Sequence, residues 1–178
     1  MHGGIGTSLN KIEDIEKISR PLKIKLGAIN DTVQQMAMDI LWSDPSANDE
    51  TLGMSWNQTR DPAKQNNIMH YGPDIVEKFI NTNQVSMIIR GHQNCADAID
   101  HFAARQLVTI TSCANYAGQN NDACFLLIQK RLVVSPKIIK PLGSGTPWQQ
   151  IPVSDIPEAA NSSVRRALTP QRERRDQI

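Results

Sequence analysis

The feature that most constrains this chain is a pair of apolar runs that both end in polar chemistry. Val85-Ser86-Met87-Ile88-Ile89 leads straight into Arg90-Gly91-His92-Gln93. Leu107-Val108-Thr109-Ile110-Thr111-Ser112 leads into Cys113-Ala114-Asn115-Tyr116. Runs this short, apolar and rich in β-branched residues read as buried strands bounded by turns. Two strands that deliver polar side chains at their C-terminal ends describe a site built on a rigid sheet. Taken alone, His92 reads first as a strand-end imidazole bonded to backbone, because ligand sites are rare.

The rest of the chain supplies helices and turns around that pair. His2-Gly3-Gly4-Ile5-Gly6 places three glycines in four positions, which asks for close backbone approach or a left-handed conformation. Asn10 with Glu13 suits a capping box ahead of an apolar stripe of Ile12, Ile15 and Ile18, and Pro21 ends that helix. A second amphipathic helix is predicted from Asn30 or Asp31, with Val33, Met36, Ala37 and Ile40 facing inward. It runs into Leu41-Trp42-Ser43-Asp44-Pro45, where Pro45 drives Asp44 out of the α region. Residues 48–67 are polar and turn-rich, the composition of a long functional loop. Gly72-Pro73-Asp74 opens a third helix whose apolar face is Ile75, Val76, Phe79 and Ile80. Cys124-Phe125-Leu126-Leu127-Ile128 and Leu132-Val133-Val134 read as a hairpin joined by Gln129-Lys130-Arg131, with Ile138 and Ile139 extending the second strand past Pro136. Helices thus crowd the first half and antiparallel strands the second, an α+β arrangement.

Composition narrows the classes. A chain of 178 residues is long enough for one buried core. The 19 Lys+Arg against 18 Asp+Glu leave a net charge of +1, so no global field points to nucleic acid or an anionic membrane. No apolar run reaches the roughly 18 residues of a membrane span, and MHGGIGTSLNK lacks the regions of a secretory signal. Cys95, Cys113 and Cys124 show no paired ligand spacing and suit reduced thiols, hence a cytoplasmic or nuclear setting. From residue 143 onward Gly, Ser, Pro, Gln and Glu dominate. The expected organisation is therefore a folded portion over 1–142 and a flexible, disordered basic tail over 143–178. Arg165, Arg166, Arg172, Arg174 and Arg175 surround Thr169-Pro170. This is either a solvated basic tail or a docking segment under phosphorylation control.

His2-Gly3-Gly4, Leu41-Trp42-Ser43-Asp44-Pro45, Arg90-Gly91-His92-Gln93 and Ser112-Cys113-Ala114-Asn115-Tyr116 follow one another in a familiar order. On these motifs residues 1–142 resemble the C-terminal half of the PPP-type serine/threonine protein phosphatases, the calcineurin-like metallophosphoesterases. MHGGIG, YGPDIVEKF and VVSPKIIKPL look most like the subgroup that carries N-terminal kelch repeats. The resemblance implies the C-terminal part of a β-sandwich flanked by helices. It also implies a hydrolase in which two divalent ions (Mn, Fe or Zn type) activate a water to attack the phosphorus of phosphoserine or phosphothreonine proteins. It makes His2 and His92 ligands of one of the two metals, and so reverses the reading of His92 taken alone. It makes Arg60, in Trp56-Asn57-Gln58-Thr59-Arg60, the clamp on the substrate phosphate, with Lys64 as the other candidate. Tyr116 would border the phosphate pocket, and Asp44 and Arg90 would support it by hydrogen bonds and charge.

Departures from the family pattern shape the expectation for this chain. The family's R-A-H-Q is Arg90-Gly91-His92-Gln93 here, and the places after Tyr116 that commonly hold a cysteine and an acidic residue are Ala117 and Gln119. The motifs G-D-x-H-G, G-D-x-V-D-R-G and G-N-H-E, which supply the other metal ligands, are not in the sequence. Two imidazoles cannot hold a dinuclear centre, because each ion takes four to six donors. The expectation is a fragment of a phosphatase, inactive alone, with Met1 internal to a longer protein and the sheet left incomplete. The alternative is a non-catalytic product that binds regulatory proteins through its groove and basic tail.

Overall fold

The computed structural model describes residues 1–24 and 31–141, which belong to one compact unit, Met1–Pro141. The tail expected over 143–178, with Thr169 and its arginines, lies outside the described residues, as does Asn30.

The N-terminal glycines are explained by close approach. Gly3 donates its N–H to Ile40 O at 2.6 Å, Gly4 donates to Asp39 O at 3.4 Å, and Gly91 donates to His2 O at 3.1 Å. A Cβ on Gly3 would lie 2.8 Å from the backbone of Leu41, Trp42 and Ser43, and one on Gly4 would lie 2.1 Å from the Tyr71 hydroxyl. The segment is thereby held between a helix end and a strand end, with His2 at its tip.

Helix α1 (Ile12–Glu16) is short and stops well before Pro21. Asn10 does not cap it. The Ile12 N–H donates instead to Asn83 Oδ1 at 2.8 Å, while Asn83 Nδ2 donates to Asn10 O at 3.0 Å. The cap comes from the end of another helix, a partner that local spacing does not reveal. Helix α2 (Thr32–Trp42) starts at Asp31, whose Oδ1 accepts from the Val33 N–H at 2.9 Å. Its buried face differs from expectation: Met36 and Ala37 are buried, but Val33 is exposed and Gln34, Gln35 and Asp39 are inside. The physical reason is the set of partners packed against that face: the N-terminal segment at Asp39, Lys23 O at Gln34, and Asn66 O and Asn67 O at Gln35. Asp39 accepts from Gln35 Nε2 at 3.0 Å and from the Ser8 N–H at 2.8 Å, so these polar groups are buried with partners. Burial pushes the Asp39 carboxyl above its usual range, against the pull of those hydrogen bonds.

Three small sheets follow. In the first, β1 (Asp44–Pro45), β2 (Met54–Trp56) and β3 (Met69–Tyr71) lie in the order β1-β3-β2. Residues 48–67 are therefore not one loop but two turns around β2. Helix α3 (Pro73–Asn83) begins with proline in its first turn and buries Val76, Phe79 and Ile80. The second sheet has β4 (Ile88–Arg90), β5 (Ile99–Phe102) and β6 (Leu107–Ile110) in the order β4-β6-β5. The third is a hairpin of β7 (Ala123–Ile128) and β8 (Val134–Ile139). The architecture is a mixed α/β one: β1 pairs with β3 and β4 with β6 in parallel, and strands begin at residue 44. This corrects the expected segregation of helices from antiparallel strands. One core gathers Ile5, Leu9, Met36, Tyr71, Phe79 and Leu107 among others, tying the N-terminal segment, both long helices and the β4–β6 sheet together.

Candidate metal and phosphate site

Parallel pairing of β4 with β6 sets Arg90 beside Thr109, so both strands end at the same side of the sheet. Beyond those ends opens a cavity of about 580 Å³ lined by His2, Trp42, Arg60, His92, Thr111 and Tyr116 among others. Residues 90 positions apart thus meet. His92 Nδ1 lies 3.1 Å from His2 Nε2, and the two ring centroids are 4.8 Å apart in an edge-on arrangement. The Trp42 ring closes the other side of His92, edge-on at 5.4 Å. His92 adopts a left-handed backbone, φ 69°, which re-aims its imidazole as the chain leaves the strand.

Beneath the imidazoles lies a buried ionic cluster centred on Asp44. Its Oδ1 accepts from an Arg90 terminal nitrogen at 3.0 Å; its Oδ2 accepts from Arg60 Nε at 3.0 Å and from Asn57 Nδ2 at 3.0 Å. The Arg90 side chain has no exposure, and it is satisfied further by Gly3 O, Gln93 Oε1 and Thr109 Oγ1. One guanidinium therefore holds the His2-bearing segment, the strand end and Asp44 at once. Arg60 is held at the rim by Asp44 and by its own N–H to Asn57 Oδ1 at 3.1 Å. Lys64 is turned elsewhere, with Nζ 5.6 Å from the centre of the Trp56 ring. Tyr116, 54% exposed, lines the outer wall.

The donor chemistry fits part of a divalent-metal site. Two ligand nitrogens each about 2.1 Å from one ion lie about 3.0 Å apart at a right angle and about 3.4 Å apart at the tetrahedral angle; the 3.1 Å seen here, the length of a hydrogen bond between the two rings, lies in that range. His92 Nε2 is buried without a hydrogen-bond partner, 3.9 Å from Asp44 Oδ1. That is the place of the carboxylate behind a metal-ligating imidazole. Burial and the nearby Arg60 guanidinium push the His92 pKa down to about 4, with Asp44 opposing. The ring is then neutral at pH 7, as a ligand must be. Among the described residues no group of three or more His, Cys, Asp or Glu gathers to complete the ligand set.

Sequence reading missed Asn57 and Trp42 as site residues. Asn57, fully buried, stands three residues ahead of Arg60, the spacing at which an Asn side chain caps a following turn. Gly91, where the family pattern has alanine, is not a close-approach glycine. A Cβ there would meet only Ile110 O at 3.8 Å and His2 Nδ1 at 3.9 Å. Gly91→Ala is accordingly expected to be neutral or to stabilise by up to about 1 kcal/mol, through the unfolded chain. A urea melt checks this, and a loss above about 1 kcal/mol would show that the turn needs glycine.

Comparison with known proteins agrees with the geometry. The profile described as calcineurin-like phosphoesterase matches residues 1–96. The chain is 41% identical over 143 residues to the serine/threonine-protein phosphatase BSL2 of Arabidopsis thaliana, covering 80% of this chain and 13% of that protein. It shares its fold, at a TM-score of 0.63 and 20% identity, with a solved Saccharomyces cerevisiae protein serine/threonine phosphatase described as similar to human phosphatase PP5. That match covers 80% of this chain and 44% of the yeast one. The chain belongs to the calcineurin-like phosphoesterase family, among its serine/threonine protein phosphatases. It spans less than half the length of each relative named here, and membership implies metal ions in the full enzymes.

Proposed function

We propose that this chain carries the C-terminal half of a metal-dependent serine/threonine protein phosphatase site and needs further ligands from polypeptide bearing the three absent motifs. The observation that supports this most is the meeting of His2 and His92 at the mouth of a cavity that Arg60 also lines. Ions of Mn, Fe or Zn type, when bound in the complete site, supply a nucleophilic water and neutralise phosphoryl charge. The chain's own residues do the rest. His2 Nε2 and His92 Nδ1 hold one ion, and Asp44 orients His92 from behind. Arg60, with Nε committed to Asp44, keeps its two terminal nitrogens for two oxygens of a phosphoserine or phosphothreonine. Tyr116 and Trp42 wall the space where the phosphorylated side chain enters.

A second reading is a non-catalytic module that binds regulatory proteins through the groove. The incomplete ligand set among the described residues favours it. Hydrolysis of p-nitrophenyl phosphate with manganese separates the two. The 178-residue chain alone should not exceed the manganese blank, and addition of a polypeptide bearing the three motifs should produce turnover that His92→Ala abolishes. Turnover by the chain alone would contradict the need for outside ligands. No turnover after complementation would favour the non-catalytic reading. A cytoplasmic or nuclear setting goes with the proposal, since Cys95, Cys113 and Cys124 are all free thiols. Among the described residues no helix is long and apolar enough to cross a membrane.

A further inference from the structure

Tyr116 reaches the cavity from a loop whose backbone is under strain. The φ angles of Asn115 (51°), Ala117 (48°), Gly118 (78°) and Asn120 (54°) are all left-handed. Glycine takes that region freely and asparagine visits it routinely, but alanine pays for its Cβ. Backbone of this kind persists only where its surroundings over-determine it. Packing does not do so here, because residues 115–120 are all exposed.

The loop is held from its far end by one buried amide. Asn121 is 2% exposed. Its Oδ1 accepts the Tyr116 N–H at 2.8 Å, and its Nδ2 donates to Cys113 O at 2.9 Å and to Asp122 O at 2.7 Å. Its backbone carbonyl accepts the Asn115 N–H at 2.9 Å. The residue itself is anchored to the sheet through its neighbours. The Asp122 N–H donates to Ala96 O at 3.1 Å, and the Cys124 N–H donates to Thr111 O at 2.7 Å. Thr111 lines the cavity of His2 and His92, as Tyr116 does, whereas Asn121 does not. Accepting from one strand of the loop while donating to the other needs both ends of a carboxamide.

Resting on the phosphatase reading above, we propose that Asn121 is the positioning residue for Tyr116. It fixes that ring on the wall of the cavity where a phosphorylated side chain enters, and it acts only through the loop.

The chain holds two tyrosines, so fully buried Tyr71 is an internal control for Tyr116. Phenyl phosphate is titrated into the 178-residue chain while NMR follows the tyrosine rings, the arginine side chains and exchange of the Tyr116 N–H. In the wild type the Tyr116 ring should shift along one saturation curve while Tyr71 stays in place. Asn121→Ala should speed exchange at Tyr116 at least tenfold and weaken phenyl phosphate binding at least fivefold, with Tyr71 unmoved. Asn121→Asp keeps the acceptor but turns an oxygen toward the carbonyls of Cys113 and Asp122. It should match the alanine variant at alkaline pH and recover toward wild type on acidification, when the protonated acid can donate again. Should the alanine variant fail to fold, this recovery carries the test. Variants that melt lower yet keep wild-type exchange at Tyr116 and wild-type affinity would overturn the proposal, and so would an aspartate variant that acid does not rescue. A different result separates the two readings. If phenyl phosphate shifts neither Tyr116 nor Arg60 in the wild type, while Asn121→Ala still opens the Tyr116 N–H, the phosphate reading of the cavity falls and the hold of Asn121 on the loop stands.

Discussion

Asp44→Ala is expected to destabilise the chain by about 3–5 kcal/mol, the cost of leaving one partner of a buried ion pair uncompensated. The carboxylate accepts three hydrogen bonds, from Arg90, Arg60 and Asn57. Of these donors Arg90 decides the size of the effect, because its guanidinium has no exposure and cannot turn to water when its counter-charge is lost. Arg60, 28% exposed, can. Asp44→Asn should fall between wild type and Asp44→Ala, since the amide oxygen keeps one acceptor but not the charge. Urea unfolding reads this as a lower midpoint at unchanged slope. A loss below about 1 kcal/mol would mean that Arg90 is balanced by its bonds to Gly3, Gln93 and Thr109 alone.

Gly4→Ala should be the next most damaging single change, at about 3 kcal/mol, the upper end of ordinary overpacking. Its Cβ would fall 2.1 Å from the hydroxyl and 2.5 Å from the ring of Tyr71. Tyr71 is fully buried and sits in the main core, so it cannot swing aside. The N-terminal segment must move instead, and His2 moves with it. The same unfolding titration measures the cost, and Gly91→Ala is the matched control because a Cβ there would make only ordinary contacts, at 3.8 and 3.9 Å. If the two alanines behave alike, the glycines before the first helix are not there for contact.

These two changes also show what could be read from the residues and what could not. His2, Asp44, Arg60, Arg90, His92 and Tyr116 all stand at the ends of apolar runs or in motifs of fixed order; the fold sets His2, Arg60, His92 and Tyr116 on one cavity and buries Asp44 and Arg90 beneath it. The spacing of the glycines posed a choice between left-handed backbone and close approach. Only the position of Tyr71 and of the end of α2 decides it. Strands β2, β3 and β5 escaped notice because three or four residues are too few for a period of two to declare itself. The Asn83 cap on α1 comes from 71 residues away, beyond any local rule. Val33 was assigned inward by helical periodicity. The polar Gln34, Gln35 and Asp39 take that place because segments distant in sequence offer them hydrogen-bond partners: Lys23 O for Gln34, Asn66 O and Asn67 O for Gln35, and the Ser8 N–H for Asp39.

The central claim is that two side chains 90 positions apart form one half of a metal site. Zinc titration of the 178-residue chain, followed through the ring-nitrogen resonances of its four histidines, tests it most directly. The account predicts that His2 Nε2 and His92 Nδ1 shift together along one saturation curve while His70 and His101 stay in place, and that His2→Ala or His92→Ala weakens binding at least tenfold. Independent shifts at the two rings, or a shift at neither, would contradict it.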